Sequence, residues 1–322
     1  MAYSQLTRDQ RVIVEHGLSI GTPKAQIARE IGKHRSTLTR EPQRNRATGL
    51  PYTADIAEYH RQKRRGDANA QRRKILKGSP LETFIMQKIR ERWSPDEIAQ
   101  RWNQEGRSPT LCMQTVYTWI NDHRAFRQYL LLGKKRRRKQ KYKKVIIPNK
   151  RMIDTRPARI DHRKTLGHWE GDTIVSKCKK QAIATHVERK SGYLIGGKME
   201  DRTAKTMSAV STEQFKKHCP KHLRKTCTND NGSEFAHHEK TEKNLSMKMY
   251  FAFPYHSWER GTNENTNRLV RAFFPKAMCF GELDQKDVDH VVELINHRPR
   301  KRLGYRTPHE VFRGVRECCT SD

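Results

Sequence analysis

From Gly167 the chain reads Gly167-His168-Trp169-Glu170-Gly171-Asp172-Thr173-Ile174-Val175, and here the hydrophobic period changes from helical to alternating. Two further alternating stretches follow, Ala182-Ile183-Ala184-Thr185-His186-Val187-Glu188 and Tyr193-Leu194-Ile195-Gly196-Gly197. Three such runs joined by short turns predict an antiparallel meander. Side chains two apart on a strand point the same way, so Asp172 shares a face with Glu170 and Ile174.

Downstream, a helix is expected over about 203–218, then a strand at Lys225-Thr226-Cys227-Thr228-Asn229-Asp230, a shorter helix, and a strand at Lys248-Met249-Tyr250-Phe251-Ala252. Trp258 to Arg271 reads as the start of another helix, with Glu264 in its first turns and Glu264, Asn267, Arg268 and Arg271 along one face. The order β-β-β-α-β-α-β-α is that of a ribonuclease-H-like α/β fold with a mixed five-stranded sheet. Asp230 ends the fourth strand in a turn-rich sequence, Asn229-Asp230-Asn231-Gly232-Ser233-Glu234, which frees its carboxylate from the ladder.

Upstream of the sheet the pattern is helical. Val12, Ile13, Leu18, Ile27, Ala28, Ile31 and Leu38 recur at helical spacing, and turn signals at Gly17, Gly21-Thr22-Pro23 and Gly32 divide them into three helices, the layout of a helix-turn-helix. Pro23 opens the second helix and Arg35 the recognition helix, making Arg35, Thr37, Thr39 and Arg40 candidates for DNA contact. Pro42 is expected to end or bend that helix near Glu41. A second block repeats the plan: Leu81, Phe84, Ile85, Ile89 and Trp93 form one stripe, Ser94-Pro95-Asp96-Glu97 is an N-cap signature, and Gln114 and Thr115 begin a third helix where they too are candidates to touch DNA.

The expected organisation is therefore multidomain: an all-α helix-turn-helix domain over 1–60, a basic linker over 61–80, a second helix-turn-helix domain over 81–132, a basic linker over 133–160 and the catalytic α/β domain over 161–322. Nearly every residue from Lys134 to Lys144 is Lys or Arg, so Lys134, Arg136, Arg137 and Arg138 can lie along phosphates.

Across 322 residues, 67 Lys and Arg outnumber 35 Asp and Glu by 32 charges. Such an excess repels itself unless a polyanion neutralises it, and nucleic acid is the partner expected, here double-stranded DNA. No apolar stretch approaches the roughly 18 residues needed to cross a bilayer, and no membrane partner is expected. The seven cysteines are odd in number and scattered, without a Cys-x-x-Cys pair, which suits a reduced, cytoplasmic setting. His218, Cys219, His222 and Cys227 offer soft zinc ligands, but their spacing matches no standard module, so a helix end followed by a strand cysteine is the expected reading.

Asp172, Asp230 and Glu264 are the acids to which the elements above give a common place. Three gathered carboxylates repel one another unless cations neutralise them, and hard oxygen ligands select Mg²⁺ or Mn²⁺. Two such ions, about 3.5 to 4 Å apart, activate an attacking oxygen and stabilise a leaving one in phosphodiester chemistry.

Gly167-His168-Trp169-Glu170-Gly171-Asp172-Thr173, Asn229-Asp230-Asn231-Gly232-Ser233-Glu234-Phe235 and Arg260-Gly261-Thr262-Asn263-Glu264-Asn265-Thr266-Asn267 together resemble the DDE transposases of the insertion sequence 30 family. The 33 residues between Asp230 and Glu264 match that family's spacing, and the likeness runs from Leu6-Thr7 to Arg306-Thr307-Pro308. The resemblance implies a bacterial, nucleoid-associated enzyme that recognises terminal inverted repeats, exposes 3′-hydroxyls and joins them to DNA. It makes Asp172, Asp230 and Glu264 both catalytic and metal ligands, and places His256, Asn265, Arg268 and Arg271 near the scissile phosphate or flanking DNA. The chain departs from the family pattern at Pro42, at Arg268 where glycine is usual, and at Ala277-Met278-Cys279. Holding two transposon ends together calls for a homo-oligomer, a dimer at the least. Rival readings are a DNA-binding regulator with an idle catalytic domain and a nuclease that cuts without joining.

Overall fold

A computed structural model describes residues 5–45, 50–71, 73–131, 147–253 and 261–315. The chain divides into two compact units, Met1–Leu76 and Lys77–Asp322.

The first unit contains α1 (Arg8–Ser19), α2 (Lys24–Glu30), α3 (Arg35–Asn45) and α4 (Ala54–Gln71). Thr7 and Gln10 form a capping box that satisfies the first orphan amides of α1. Leu6, Val14, Ile27, Ala28, Ile31, Leu38, Tyr52 and Ala57 form its core. Gly17 is not a turn: it lies inside α1, where Ile27 packs so close that a Cβ would stand 2.7 Å from the Ile27 side chain. The buried guanidinium of Arg11 then bonds Glu41 at 2.7 Å and Glu58 at 2.6 Å, tying α1 to α3 and α4.

Pro42 does not end the recognition helix, which runs through it to Asn45. One backbone bond is forgone there, but Leu38 is fully buried beneath the helix, Arg11 grips Glu41, and Arg64 donates to the carbonyl of Arg44 and to Asn45 at the far end. The chain from 61 to 71, within the expected linker, is helical. It is the second half of α4, held by Arg61 and Gln62 donating to Glu58 and by the reach of Arg64 back to α3. The hydrogen bond from Arg61 is the main reason that the Glu58 carboxyl is lowered to about 2.

The second unit opens with α5 (Pro80–Arg90), α6 (Pro95–Gln104) and α7 (Met113–Asp122). Leu81, Phe84, Ile85, Ile89 and Trp93 are all buried, as the stripe requires, as are Ile98, Trp102, Val116 and Ile120 on the next two helices, and the ring of Phe84 meets that of Trp102. Ser94 and Glu97 close the expected capping box.

The sheet follows: β1 (His168–Val175), β2 (Ala182–Glu188), β3 (Leu194–Met199), then α8 (Ala204–His218), β4 (Thr226–Asn229), α9 (His238–Leu245), β5 (Lys248–Phe251), α10 (Gly261–Phe273), α11 (Gln285–Asn296) and α12 (Pro308–Arg313). The strand order is β3-β2-β1-β4-β5, with the β1–β2 and β2–β3 pairs antiparallel and the β1–β4 and β4–β5 pairs parallel. This is the ribonuclease-H-like arrangement that the element order implies. One face packs Ile174, Ile183, Val187 and Leu194 under Leu269 and Val270 of α10 and Val288, Val291 and Ile295 of α11. The other packs Trp169, Ile195, Cys227 and Met249 with Phe215 and Cys219 from the end of α8, Leu245 of α9 and Phe312 of α12.

Helix α6 is bolted to the end of the chain. Arg101 donates two bonds to Glu310 at 3.1 and 2.9 Å, Arg298 donates to Glu97, and Tyr305 donates to Asp96 at 2.9 Å. Glu97 and Glu310 each close a capping box as well, so each acid serves its own helix and a distant arginine.

The cysteine reading also needs correction. Cys178 and Cys279 are joined by a disulfide across 101 residues, with Cα atoms 5.7 Å apart. The turn after β1 and the segment after α10 are zipped together beside it, the amide of Lys177 donating to the carbonyl of Met278 and that of Phe280 to Ser176 Oγ. Cys219 and Cys227 are buried in the core, and burial pushes the Cys219 thiol up to about 12. Both act as small apolar residues in packing.

Glu310 gives a stability prediction. Burial raises its carboxyl, but hydrogen bonds from Arg101 and Thr307 outweigh burial and hold it below its ordinary value of 4.5. A depressed carboxyl contributes its full stabilisation above that ordinary value and loses it as pH falls from there through its own lower pKa. Glu310→Ala is expected to cost about 3–5 kcal/mol in urea unfolding at neutral pH, and the gap from the unaltered protein should shrink below pH 4.5.

Candidate active site

The strand that carries Asp172 is the middle of the sheet. Its parallel pairing with β4 ends with Glu170 opposite Thr228; Asp172 lies two residues beyond that pair within β1, and Asp230 two residues beyond it, just past the end of β4. Close approach of the two strands needs Gly171, where a Cβ would sit 2.1 Å from Asn229 Oδ1.

Asp172 is half-buried. Its Oδ1 accepts from the amide of Thr173 at 2.8 Å and its Oδ2 from the side-chain amide of Asn267 at 3.0 Å. Because a carboxylate only accepts, it turns the amide nitrogen of Asn267 toward Asp172, and the amide oxygen is left to accept from the hydroxyl of Thr185 on β2 at 3.0 Å. Asp230 Oδ1 accepts from the amide of Gly232 at 3.0 Å, an Asx turn. The loop that follows is pinned by Asn231, which donates to the Ala252 carbonyl and accepts from Lys150 at 2.8 Å.

Glu264 is exposed in the first turn of α10. That helix is clamped to β1 on either side of it: the amide of Asn263 donates to Glu170 at 2.9 Å, and Asn267 donates to Asp172 one turn on. Asp172 and Asp230 thus each lie two residues past the last β1–β4 pair, and the helix of Glu264 packs on the face of β1 that carries Asp172. Among the described residues, no group of three or more His, Cys, Asp or Glu side chains stands close enough to hold a metal ion. The donors remain hard oxygens, the type that fits Mg²⁺ or Mn²⁺.

The other expected contacts fall into three groups. Arg35, Thr39 and Arg40 on α3, and Gln114 on α7, are exposed, while Thr37 and Thr115 are half-buried. Asn265 and Arg268 are exposed on α10 and bond each other at 3.4 Å. The half-buried guanidinium of Arg271 donates to the Val175 carbonyl at 2.8 Å and to that of Phe274 at 3.5 Å, tying the end of α10 to the end of β1. Burial lowers its pKa from the ordinary arginine value. Lys134, Arg136, Arg137, Arg138 and His256 lie outside the described residues.

Several residues here escaped the sequence reading. Buried Glu234 accepts from the hydroxyl of Thr173 at 2.8 Å, beside Asp172. His168 is lowered to about 4, first by burial and then by Lys225, and its neutral ring joins β1 to Thr226 of β4. Thr185 is a polar residue on an inward face, and that placement is the only signal it gives; Asn263 and Asn267 stand in the motif around Glu264, but the sequence reading does not foresee their bonds to Glu170 and Asp172.

A helix-turn-helix domain model matches residues 2–45. The transposase for insertion sequence element IS4351 of Bacteroides fragilis is 34% identical over 318 residues, covering 96% of this chain and 96% of that protein. The chain belongs to the insertion sequence 30 family of transposases. The transposase InsI for insertion sequence element IS30A of Escherichia coli (strain K12) is 33% identical, over 98% of this chain and 85% of its own length. Among solved structures, the catalytic core domain of BIV integrase is similar at 19% identity and a TM-score of 0.37, over 47% of this chain and 95% of that one. As a member of this family the protein is a DDE-type transposase, an enzyme of DNA cleavage and strand transfer.

Asn267 supplies a prediction. Asn267→Leu keeps the side-chain bulk but removes the donor that orients Asp172, a hydrogen bond to a charged group worth about 1.5–3 kcal/mol. Strand transfer by this transposase should fall about 10- to 100-fold while end binding in a gel-shift assay is retained. Unchanged strand transfer would show that Asp172 needs no such support.

Proposed function

We propose that this transposase binds the terminal inverted repeats of an insertion sequence, cleaves to expose 3′-hydroxyls and joins them to target DNA, with Asp172, Asp230 and Glu264 as its catalytic acids. The observation that carries this reading is that Asp172 on β1 and Asp230 just past the end of β4 each lie two residues beyond the same parallel pair, Glu170 with Thr228, while α10 is clamped to the face of β1 that carries Asp172 on both sides of Glu264.

The three acids are the residues that would hold divalent cations, Mg²⁺ or Mn²⁺, two ions in the proposed scheme. When bound, these would lower the pKa of the attacking oxygen and stabilise charge on the leaving one. The chain's own part is orientation. Asn267 and Thr173 aim the Asp172 carboxylate, the Asx turn aims that of Asp230, and the exposed side chain of Glu264 leaves it room to join them on DNA.

DNA would be gripped in stages. Exposed Arg35, Thr39 and Arg40 on α3 and Gln114 on α7, with Thr37 and Thr115 beside them, suit groove contacts, and the basic run with Lys134 and Arg136–Arg138 suits phosphates. Asn265, Arg268 and His256 would serve the DNA flanking the cut. The protein would act on the nucleoid in a bacterial cytoplasm as at least a dimer, since two ends must meet. No helix among the described residues is long and apolar enough to cross a membrane.

Strand-transfer assays with Mg²⁺ on oligonucleotides bearing the ends test the reading. Joined products are expected from the unaltered chain, and Asp230→Asn should abolish them yet leave end binding intact. Nicks alone would mean a nuclease, and bound but unaltered DNA a regulator with an idle catalytic domain. End affinity should also fall about 10³- to 10⁵-fold between 50 and 200 mM salt if roughly six to ten phosphates are contacted. A flat salt titration would count against binding dominated by phosphates.

A further inference from the structure

Glu170 is a carboxylate in the interior of the central strand, completely buried, and the chemistry proposed above gives it no part. Its Oε2 accepts from the backbone amide of Asn263 at 2.9 Å, and its Oε1 accepts from Arg189 Nε at 3.1 Å. Its own backbone carbonyl accepts from the Asn263 side chain at 3.2 Å. Asn263 is the third residue of α10, one of the first-turn amides that no bond within the helix can satisfy. Glu170 therefore caps α10 from another element, and a negative charge at that end is also favoured by the helix dipole.

The cap is braced from behind. Arg189 donates to Asp161 and to the Ile160 carbonyl, and Arg156 pairs with Asp161 and donates to Thr228 at 2.8 Å. Glu170 and Thr228 thus sit side by side, each two residues before one of the aspartates Asp172 and Asp230. The layer of buried charge that seats α10 lies immediately beneath the layer of acids.

We propose that Glu170 is a positioning residue, whose buried carboxylate caps α10 and sets the start of that helix, and with it Glu264, against the strand of Asp172. This rests on the role proposed for Glu264. The requirement is for a carboxylate in particular. Both partners, the Asn263 amide and Arg189 Nε, are donors, and a glutamine offers one accepting end and one donating end, so it opposes one of them whichever way it turns.

The test is amide hydrogen exchange on the full chain, read beside strand transfer. In the unaltered protein the Asn263 amide should exchange far more slowly than in unstructured chain. Glu170→Gln should release the amides of Asn263 and Glu264 while those of β1 and β2 stay protected, and lower the turnover of strand transfer about 10- to 100-fold with DNA half-saturation unchanged. Arg189→Lys, which keeps the cap and a positive charge beside it, should leave the α10 amides protected and cost less turnover than Glu170→Gln. Equal protection of α10 in Glu170→Gln, or equal loss from both variants, would overturn the assignment. Should Glu170→Gln fail to fold, unprotected exchange at Asn263 in the unaltered chain overturns it and slow exchange there upholds it. Exchange needs no turnover, so an unaltered protein that binds ends without joining them would refute the proposed reaction and leave the cap to be judged on its own measurement.

Discussion

The fastening of α10 to β1 is the constraint on which the catalytic unit depends. A helix laid on a sheet by apolar contacts alone can slide, because leucine and valine contacts have no direction. Here Leu269 and Val270 supply burial, while bonds from Asn263 to Glu170 and from Asn267 to Asp172 supply register. Arg271 fastens the far end to Val175, and the Cys178–Cys279 disulfide closes the same seam just beyond. The helix is thus held at its start, its middle and its end to one strand, the strand that presents Asp172.

Such fastening puts polar groups where water cannot reach them, and each must be matched. Glu170 has two donors from side chain and backbone, Asn267 both accepts and donates, and Arg189 spreads its guanidinium over Glu170, Asp161 and a carbonyl. Burial of a single unpaired charge costs several kcal/mol, and here Glu170 is paired with Arg189, which in turn reaches the solvent-exposed Asp161. Orientation of the acids is a by-product of that satisfaction. The same economy appears where α6 meets the end of the chain, with Glu97 and Glu310 each serving a cap and an arginine.

Much of the architecture was legible in the chain itself. Alternation over 168–175, 182–188 and 194–197 gave the meander, and Ser94-Pro95-Asp96-Glu97 marked the start of α6, because strand period and capping chemistry are local properties. Local rules misled where distant partners intervened. Pro42 reads as a stop, yet Arg11 and Arg64 hold α3 together across it; Gly17 reads as a turn, yet it is a seat for Ile27 inside a helix. The basic run from Arg61 reads as a linker because its helix is held by contacts with Glu58 and with the end of α3, not by an apolar stripe of its own.

The sequence by itself determined the family, the identity of three candidate acids and the face of β1 on which Asp172 lies, since these depend on residue type, spacing and strand parity. Only the tertiary structure decided that Glu170 caps a helix ninety-three residues away, that Asn267 attends Asp172 while Arg271 holds the end of β1, and that Cys178 meets Cys279. A buried carboxylate and a surface carboxylate are the same letter in a sequence. What separates them is which donors the fold brings within 3 Å, and that is settled only when the strands and helices have packed.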